Sequence, residues 1–328
     1  MIGKATDFPG VTIAIPTHNG MSWLEKSLPK FLEQYYPGCF EIILIDSGST
    51  DNTAQLDQEF AELKIVHISQ ADFGHGKTRN LAVQLSQHPL ILFTVQDAVP
   101  KDNQWLMGMV TYLLKNELGA VCGGQAVPHD TDKNPIQWYR PVSNDDSVDI
   151  KTGEGYDRAS PQERLKMCSW DNVNALYRKT ALQKIPFQDV RFGEDMTWAR
   201  DWLAQGGRIG YAKRFKVWHY HHQHPGFTRK RQIYTHYWRH QIFGVLPQPK
   251  ETKASLALRW LKGIVVHAGI INPMKILHWM RYNKMVLDEG ARATDDFLAA
   301  AAAGTQAMNT LYESLGTSSP MATKTNNG

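Results

Sequence analysis

Short apolar runs alternate with segments of helical periodicity through the first 95 residues of the chain. Four runs rich in β-branched residues are typical of buried strands: VTIAIP, EIILID, KIVHIS and LILFTV. Three segments with apolar residues at helical spacing lie between them: MSWLEKSLPKFLEQYY, TAQLDQEFAEL and GKTRNLAVQLSQ. Because strands that alternate with helices pair in parallel, this pattern predicts an α/β fold with a doubly wound, mostly parallel sheet over residues 10 to about 125.

The second half of the chain is less regular. Residues 128–165 lack sustained periodicity, and we interpret them as an extended insertion that becomes ordered when substrate binds. From about Thr228 to Glu289 the sequence is typical of helices and is rich in Arg, Lys, His, Trp and Tyr. Small and polar residues dominate after about Thr294, which is typical of a flexible tail.

Composition narrows the classes of function. The chain has 328 residues, 42% hydrophobic and 21% charged, and its formal net charge of +4 is too small to indicate nucleic-acid binding. We therefore predict no nucleic-acid partner. Cys39, Cys122 and Cys168 form no CxxC or other metal-ligand spacing, which favours a reduced, cytoplasmic compartment. We also predict no signal peptide and no membrane-spanning segment.

Two of the predicted strands end in an acid. Asp46 closes EIILID, and Asp97 follows LILFTV in the sequence QDA. Ligands bind outside the carboxyl ends of strands in open α/β sheets. An acid at that place can hold a metal, act as a base or cap the next turn, and the local sequence leaves these alternatives open.

Two more clusters of ionisable residues follow in the second half. Glu194 and Asp195 precede a helical segment, whose N-terminus they would stabilise through the helix dipole. Histidines at positions 219, 221, 222 and 224 are either a packed or solvated strand end or a set of metal ligands. Each cluster has a structural explanation by itself, but their coincidence in one sheet favours a functional site.

Seven motifs occur in a characteristic order: IPTHNG, DSGSTDNT, FGHGKTRNLA, QDAVP, ALYRK, FGEDMTWA and GYAKRFKVWHYHH. In this combination, over roughly residues 10–245, the chain resembles an inverting glycosyltransferase of the large family 2. The pair FGHGKTRN and QDAVP most resembles the rhamnosyltransferases of bacterial surface-polysaccharide (O-antigen) assembly. The resemblance implies the GT-A fold, a Rossmann-like mostly parallel sheet flanked by helices, here with a C-terminal helical extension.

The resemblance implies nucleotide-binding roles in the first half of the chain. Pro16, Thr17 and Asn19 would line the pocket for the base, and Asp46 would accept a hydrogen bond from a pyrimidine N–H. The guanidinium of Arg79 would reach the nucleotide, where its planar fork suits a phosphate or a base carbonyl.

The resemblance also implies a metal site. QDA stands where the family carries a DxD-type motif, so Asp97 would bind Mg²⁺ or Mn²⁺ that bridges the diphosphate and stabilises the leaving group. Gln96 stands in place of the first acid of that motif. The site then has one negative charge fewer, so the expected metal affinity is lower. Gln96 is assigned to nucleotide binding. His219 is the expected further ligand, and His221, two residues on, is the alternative.

Asp195 matches the family's catalytic base, which takes a proton from the acceptor hydroxyl as the sugar is transferred with inversion. Glu194 would share this task or bind the acceptor. A neighbouring carboxylate and an enclosed site would raise the pKa of the base. Trp170 is a candidate for stacking on a sugar ring, and a position in the core is the alternative.

We predict three regions. A catalytic domain, residues 1–245, would hold a nucleotide-binding half (about 10–125) and an acceptor half (about 126–245). A helical extension would follow at 246–291, and a flexible tail at 292–328.

The predicted extension has the composition of a membrane-interface helix. Residues 253–285 mix Leu, Ile, Val and Trp with Arg and Lys. A buried helical pair that packs on the catalytic domain or forms a dimer is the alternative. A lipid-linked acceptor favours peripheral attachment at the inner face of the plasma membrane, so we expect a cytoplasmic protein with a membrane surface as a partner.

The predicted activity is transfer of a sugar, L-rhamnose from dTDP-rhamnose, to a growing, lipid-linked glycan. The nearest alternative keeps this chemistry with a UDP- or GDP-sugar as donor. An alternative from another class is a metal-dependent hydrolase that uses the histidine cluster. The sequence contains no HExxH or other established metal spacing, which argues against the hydrolase.

Overall fold

The computed structural model describes residues 8–60, 63–128, 134, 149–220, 224–248 and 273–316. The chain divides into two compact units. The first contains residues 1–126, 141–160 and 166–220, and the second contains residues 127–140, 161–165 and 221–328.

The first unit is built on one nine-stranded sheet. Its strands are Val11–Thr17 (β1), Phe40–Asp46 (β2), Leu63–His67 (β3), Leu90–Thr94 (β4), Val99–Pro100 (β5), Ala120–Ala126 (β6), Asp149–Thr152 (β7), Asn174–Arg178 (β8) and Arg208–Trp218 (β9). The order across the sheet is β3-β2-β1-β4-β8-β6-β9-β5, and β7 pairs with β9. The four predicted strands are therefore confirmed as β1 to β4, and they pair in parallel.

The parallel strands β1, β2 and β4 are largely buried on both faces, whereas the edge strand β3 is buried only at Leu63. All five residues of β4 are buried, and Ile43 and Ile45 of β2 are as fully buried as their neighbours Ile42 and Leu44. Strands covered by helices on both faces need apolar side chains at every position. This is why the runs in the sequence are continuous and do not alternate between apolar and polar residues.

Helices cover the sheet and build the second unit. They are Met21–Leu32 (α1), His75–Leu85 (α2), Trp105–Lys115 (α3), Pro161–Met167 (α4), Lys179–Lys184 (α5), Glu194–Ala204 (α6), Pro225–Phe243 (α7), Pro273–Ala303 (α8) and Thr305–Ser314 (α9). In α1 the buried apolar residues Leu24, Leu28 and Phe31 follow helical spacing and share one core cluster with Ile13 of β1.

One predicted helix has a different form. Residues Asn52–Gln58 form a 3₁₀-helix whose start is capped by Asp51, which accepts a hydrogen bond from the Thr53 backbone N–H. Its two buried residues, Thr53 and Leu56, are three apart. Three residues per turn place both on one face, and an α-helix would do nearly the same, so the spacing does not distinguish the two kinds of helix.

The strand β8 runs antiparallel to both of its neighbours, β4 and β6. The sequence predicted only that regularity resumes there, and the segment proves to be β8 followed directly by α5. Within the predicted insertion, the structure describes β7, a 3₁₀ turn at Tyr156–Arg158 and α4. Residues 129–133 and 135–148 of the insertion lie outside the described residues.

A bulge interrupts the pairing of β6 with β9. Gly123 pairs with Ala212, but Gly124 pairs with Lys216, so three residues of β9 have no counterpart. Asn174 of β8 spans the bulge: its Nδ2 donates to the carbonyl oxygens of Gly124 (2.9 Å) and Phe215 (3.0 Å). A β-bulge re-aims the strand that carries it, and here it lies just before the end of β9.

The second unit contains α7, α8 and α9. Within it, the Arg229 and Asp296 side chains form an ion pair (Nη2–Oδ2 2.6 Å), and the rings of Tyr237 and Tyr312 stack. The helices α8 and α9 extend to residue 314, so much of the segment predicted as a flexible tail is helical. No helix in the described ranges is long and apolar enough to cross a membrane.

Candidate active site

One edge of the sheet collects the ends of the strands that the sequence singled out. Thr17 at the end of β1 lies opposite Asp46 at the end of β2. Because β8 is antiparallel, its first residue, Asn174, lies opposite Thr94 at the end of β4. Residues that follow β1, β2 and β4 therefore share this edge with residues that precede β8.

The loop after β1 is fastened to the QDA turn. The Gln96 Oε1 atom accepts hydrogen bonds from Thr17 Oγ1 (2.7 Å) and from the His18 backbone N–H (2.9 Å). Pro16 lies in the β1 ladder opposite Ile45. The Gln96 Nε2 atom also donates to the His18 carbonyl oxygen (3.3 Å), a bond that an ionised acid could not make, so Gln96 fixes the shape of the loop assigned to the base pocket.

Asn19 links the same loop to the turn after β2. Its backbone N–H donates to Ser49 Oγ (2.8 Å), and its Oδ1 accepts from the Thr50 N–H (2.8 Å). Asn19 adopts a positive φ of 46°, a conformation that Asn tolerates better than most residues. These bonds hold the loop after β1 against the turn after β2 at the edge of the sheet.

Asp46 is 2% exposed and serves the turn that follows it. Its carboxylate accepts hydrogen bonds from the backbone N–H and the hydroxyl of Ser49, and His67 Nδ1 lies 3.3 Å from Oδ2. The capping role left open by the sequence is therefore present in the structure. The role of Asp46 toward a pyrimidine remains a prediction.

Asp97 and His219 face each other at the proposed metal site. Asp97 Oδ2 and His219 Nε2 are 3.6 Å apart, and their side chains are 8% and 9% exposed. The Gln125 Oε1 atom lies 2.8 Å from His219 Nδ1 and, as an acceptor, places the proton there. That leaves the Nε2 lone pair directed toward a carboxylate oxygen, a donor set that fits a divalent cation.

No third His, Cys, Asp or Glu completes a metal cluster with these two groups in the part of the chain that the structure describes. His221 lies outside the described residues. An ion held by Asp97 and His219 would therefore draw its remaining ligands from elsewhere, and diphosphate oxygens are suitable.

Arg79 and Glu194 form an ion pair that is buried in the protein. Arg79 Nη1 is 3.0 Å from Glu194 Oε1, and the two side chains are 6% and 7% exposed. The same Glu194 oxygen accepts a hydrogen bond from Asn172 Nδ2 (3.1 Å). Both predicted roles, nucleotide contact for Arg79 and acceptor or base for Glu194, would compete with this buried pairing.

Asp195 is the more available of the two adjacent carboxylates. It is partly exposed, and one oxygen accepts from the Met196 backbone N–H at 2.7 Å. Burial, followed by the negative charges of Glu194 and Asp171, raises the pKa of Asp195 well above its usual range. A raised pKa matches the requirement for a general base that works near neutral pH.

Trp170 is 3% exposed and lies in an aromatic cluster. Its Nε1 donates to Tyr177 Oη (2.6 Å), and its ring contacts those of Tyr177, Trp198 and Tyr211. These contacts favour the core alternative over sugar stacking.

Three residues that sequence reasoning missed contribute to the site. Gln125 orients His219, Asn172 binds Glu194, and Asp171 adds a charge beside Asp195. Gln125 is the second-last residue of β6, and Asp171 and Asn172 precede β8 with only Val173 between. The same rule that identified Asp46 and Asp97, polar residues at strand ends, would have found them once these strands were recognised.

Comparisons with known proteins agree with this arrangement. The sequence profile of glycosyl transferase family 2 matches residues 12–185, just over half of the chain. The O-antigen chain rhamnosyltransferase RfbN of Salmonella typhimurium is 31% identical over 220 residues, which cover 66% of this chain and 68% of that protein. The O-antigen chain rhamnosyltransferase WbaN of Salmonella anatum is 28% identical over 223 residues, with the same coverage.

Solved structures show the same fold. A crystal structure of Staphylococcus aureus TarS superposes with a TM-score of 0.51 at 14% identity, covering 88% of this chain and 91% of that one. A mannosyltransferase from Pyrobaculum calidifontis, in complex with GDP-Man and Mn²⁺, gives a TM-score of 0.50 at 20% identity over 95% and 80% of the two chains. The profile and the rhamnosyltransferase relatives decide the family: the chain belongs to glycosyl transferase family 2 and is a glycosyltransferase with the GT-A fold.

Proposed function

We propose that this glycosyltransferase transfers L-rhamnose from dTDP-rhamnose to a growing, lipid-linked glycan with inversion at the anomeric carbon. The observation that carries the donor assignment is the 31% identity to an O-antigen chain rhamnosyltransferase over two thirds of both chains. Because the chain belongs to a glycosyltransferase family, the alternative of a metal-dependent hydrolase is excluded. A UDP- or GDP-sugar donor remains the competing choice, because pocket shape decides it.

Asp195 is the proposed base. As the bond between the anomeric carbon and the diphosphate oxygen breaks, the acceptor oxygen bonds to that carbon from the opposite face. Asp195 takes the proton that the acceptor hydroxyl releases, and the electron pair of the broken bond leaves with the diphosphate. Partial exposure and a raised pKa support Asp195 in this role, whereas Glu194 is already engaged.

Asp97 and His219 are the proposed metal ligands, and the residues after β1 and β2 are the proposed nucleotide site. A bound Mg²⁺ or Mn²⁺ would neutralise the charge that develops on the departing diphosphate. Pro16, Thr17 and Asn19 would border the base, with Asp46 beside them. Support comes from the buried, facing Asp97 and His219 and from the hydrogen bonds that Gln96 and Asn19 make within these loops.

The first test is a thermal-shift series with dTDP, dTDP-rhamnose, UDP, UDP-glucose, GDP and GDP-mannose, each with and without Mn²⁺. A ligand that binds only the native state raises Tm by mass action. We expect the dTDP compounds to act, Mn²⁺ to enhance the effect, and Asp97→Ala to remove the Mn²⁺ contribution. Asp57→Ala, an exposed aspartate in the 3₁₀-helix, is the matched control.

Each arm of the series has a distinct meaning. Stabilisation only by UDP or GDP compounds would overturn the rhamnose donor and leave the glycosyltransferase in place. An Mn²⁺ effect that survives in Asp97→Ala would overturn the metal site. The stereochemical course needs a separate measurement. The anomeric ¹H–¹³C coupling in the product identifies the anomer, and an anomer with the configuration of the donor would contradict inversion.

We also propose peripheral attachment to a membrane through α8. Four of its large apolar residues are exposed: Met274 (73%), Leu277 (41%), Met280 (49%) and Met285 (49%). Basic residues lie among them on the exposed surface, Lys275, Arg281 and Lys284, and no acid occurs between positions 274 and 287. We call this surface the basic-apolar face of α8.

An interface of lipid headgroups and acyl chains suits the basic-apolar face. Apolar side chains enter the acyl boundary while Lys and Arg pair with anionic headgroups. A lipid-linked acceptor would be presented in the same layer. This supports a position at the inner face of the plasma membrane.

A further inference from the structure

Arg79 and Glu194 form an ion pair that is closed off from solvent. Arg79 lies in the middle of α2, and Glu194 is the first residue of α6. Their Nη1 and Oε1 atoms are 3.0 Å apart, and neither side chain is more than 7% exposed. Burial of two charges is costly, and such a pair persists where further hydrogen bonds satisfy both partners.

Both partners make further hydrogen bonds, although the Arg79 Nε atom has no hydrogen-bond partner among the described residues. Arg79 Nη1 donates to the backbone carbonyl oxygen of His75 (3.0 Å), one turn earlier in α2. The Glu194 carboxylate accepts from Asn172 Nδ2 (3.1 Å). A cation from one side and an amide from the other therefore hold the same carboxylate oxygen in place.

The network continues through the residues that precede and form β8. Asn172 Oδ1 accepts from Tyr177 Oη (2.6 Å), which in turn accepts from Trp170 Nε1 (2.6 Å). All three residues are at most 3% exposed. The rigid aromatic core of the first unit is thereby connected, bond by bond, to the first residue of α6.

The helix α6 has no side-chain cap at its N-cap position. Gly193 precedes it in the left-handed region (φ 80°) and offers no side chain to cap the helix. Most helices begin with a Ser, Thr, Asp or Asn that binds the first free N–H groups. Here the Glu194 ion pair takes over the restraint of the first turn.

We propose that Arg79 and Glu194 are positioning residues, whose ion pair fixes the first turn of α6 and thereby the place of the Asp195 carboxylate. The inference rests on the proposed role of Asp195 as the base. It reassigns both residues: Arg79 acts within the protein and does not contact the nucleotide, and Glu194 does not accept the acceptor proton.

The chemistry of Glu194 supports this reassignment. To take a proton, its oxygen would have to release a cationic donor and an amide donor, both at hydrogen-bonding distance. The Asp195 carboxylate is not held in this way: it accepts a hydrogen bond from the backbone N–H of Met196 beside it. The charges facing Asp195 are Glu194 and Asp171, which raise its pKa, and Arg79, which lowers it.

Three variants test the proposal: Arg79→Met, Glu194→Gln and the double variant. Arg79→Met leaves the Glu194 charge buried without its cation, so we expect a lower Tm. Adding Glu194→Gln removes that charge and should restore at least half of the lost Tm. In all three, we expect the Kd for dTDP to stay within threefold of the parent value, while kcat falls at least tenfold in each single variant.

The pH profile separates positioning from proton transfer. In Glu194→Gln, the acid limb of kcat should move to lower pH, because a negative charge beside Asp195 is gone. Turnover at the level of Asp195→Asn over the whole pH range would show instead that Glu194 is the base and would overturn the proposal. A tenfold weaker Kd for dTDP in Arg79→Met, with unchanged Tm, would show that Arg79 is a nucleotide ligand.

Two controls complete the design. Arg229→Met removes one partner of an exposed ion pair with Asp296 in the second unit, and it should change neither kcat nor the pH profile. Asp195→Asn tests the proposed function by itself: full turnover there would overturn the base and, with it, the positioning role. If Asp195→Asn is inactive but Glu194→Gln does not restore the Tm of Arg79→Met, only the ion-pair inference is overturned.

Discussion

Adjacent carboxylates at the start of α6 differ in what they touch. Glu194 is buried against a cation and an amide, whereas Asp195 lies partly exposed beside like charges. The first arrangement fixes a carboxylate in place, and the second raises the pKa of a carboxyl so that it holds a proton to higher pH. Two neighbouring acids can therefore serve structure and chemistry separately.

The raised pKa of Asp195 predicts a pH-dependent cost in stability. As pH rises, the unfolded chain releases its Asp195 proton first, which favours unfolding across the interval between the unfolded and folded pKa values. Asp195→Asn removes this cost. We expect its Tm advantage over the parent to be absent below the ordinary aspartate pKa of about 4, to grow as pH rises and then to level off.

Thermal unfolding followed from about pH 3 to about pH 9 checks this, because the series then begins below the ordinary aspartate pKa. Asp57→Asn, at an exposed site, is the control and should show no such growth. A Tm difference that shrinks as pH rises would contradict the raised pKa.

Gln125 gives a second prediction for a single residue. It fixes the His219 ring through a 2.8 Å contact to Nδ1. Partners of this kind orient a metal-binding imidazole, and their loss weakens metal binding by roughly 10–100-fold. We expect Gln125→Leu to weaken Mn²⁺ binding in the presence of dTDP by that factor, and Gln58→Leu, at an exposed position, to leave it unchanged. Calorimetric titration of Mn²⁺ measures both.

Individual residues were predictable from the sequence where one rule applied. A polar residue at the end of an apolar run identified Asp46 and Asp97. Asn172 and Asp171 escaped because they precede a strand, and they reach the same edge only through the antiparallel direction of β8. The Arg79–Glu194 pair could not be foreseen, since nothing local links a position in α2 to the start of α6.

Among the elements, the bulged strand β9 depends most on a single side chain. Besides its two bonds across the bulge, Asn174 accepts a hydrogen bond from Trp105 Nε1 (3.0 Å) through its Oδ1. Asn174 is completely buried, so none of these partners can turn to water when it is removed. The bulge is thus anchored in the core from β8.

Asn174→Ala should therefore be strongly destabilising. It leaves a buried indole N–H and two backbone carbonyls without their partner, at a cost of about 1–3 kcal/mol for each unsatisfied group before relaxation. We expect the free energy of unfolding to fall by about 2–4 kcal/mol. Urea unfolding measures this change, and Asn116→Ala, whose amide binds a carbonyl within its own helix end, is the milder control. A loss below about 1 kcal/mol would show that the bulge holds without Asn174.

The strands were easier to predict than the helices because β1, β2 and β4 are largely buried on both faces and appear in the sequence as continuous apolar runs. The short β7, by contrast, is only partly buried at every position and has no such signal. The sequence does not distinguish the 3₁₀-helix after β2 from an α-helix, since both bring residues three apart onto one face. The part of the predicted tail that the structure describes is largely helical, because its Ala-rich composition favours helices as much as it resembles a linker.

For the whole molecule, the net charge is small, but the charged residues are unevenly distributed over the surface. The net charge of +4 hides the basic-apolar face of α8, where three basic residues have no acid between them. A local patch of this kind governs attraction to an anionic surface, whereas the sum does not.

We expect the full chain to co-sediment with vesicles containing phosphatidylglycerol and not with pure phosphatidylcholine vesicles, and the binding to weaken as salt is raised. The double variant Leu277→Glu/Met280→Glu should abolish sedimentation with vesicles and keep dTDP binding. Lys64→Glu, an exposed charge on β3, is the control for charge reversal. Equal binding of the double variant would show that this face does not meet the membrane.

The antiparallel β8 also has a consequence for how the chain is made. It lies between β4 and β6, yet it is synthesised after both. Roughly fifty residues separate the end of β6 from the end of β8, about three to ten seconds of ribosomal elongation. During that interval β4 and β6 each expose an unpaired edge, the kind of surface on which nascent chains associate wrongly. Slow codons in this stretch would lengthen the exposure, so expression of soluble protein should depend on how quickly residues 127–178 are translated.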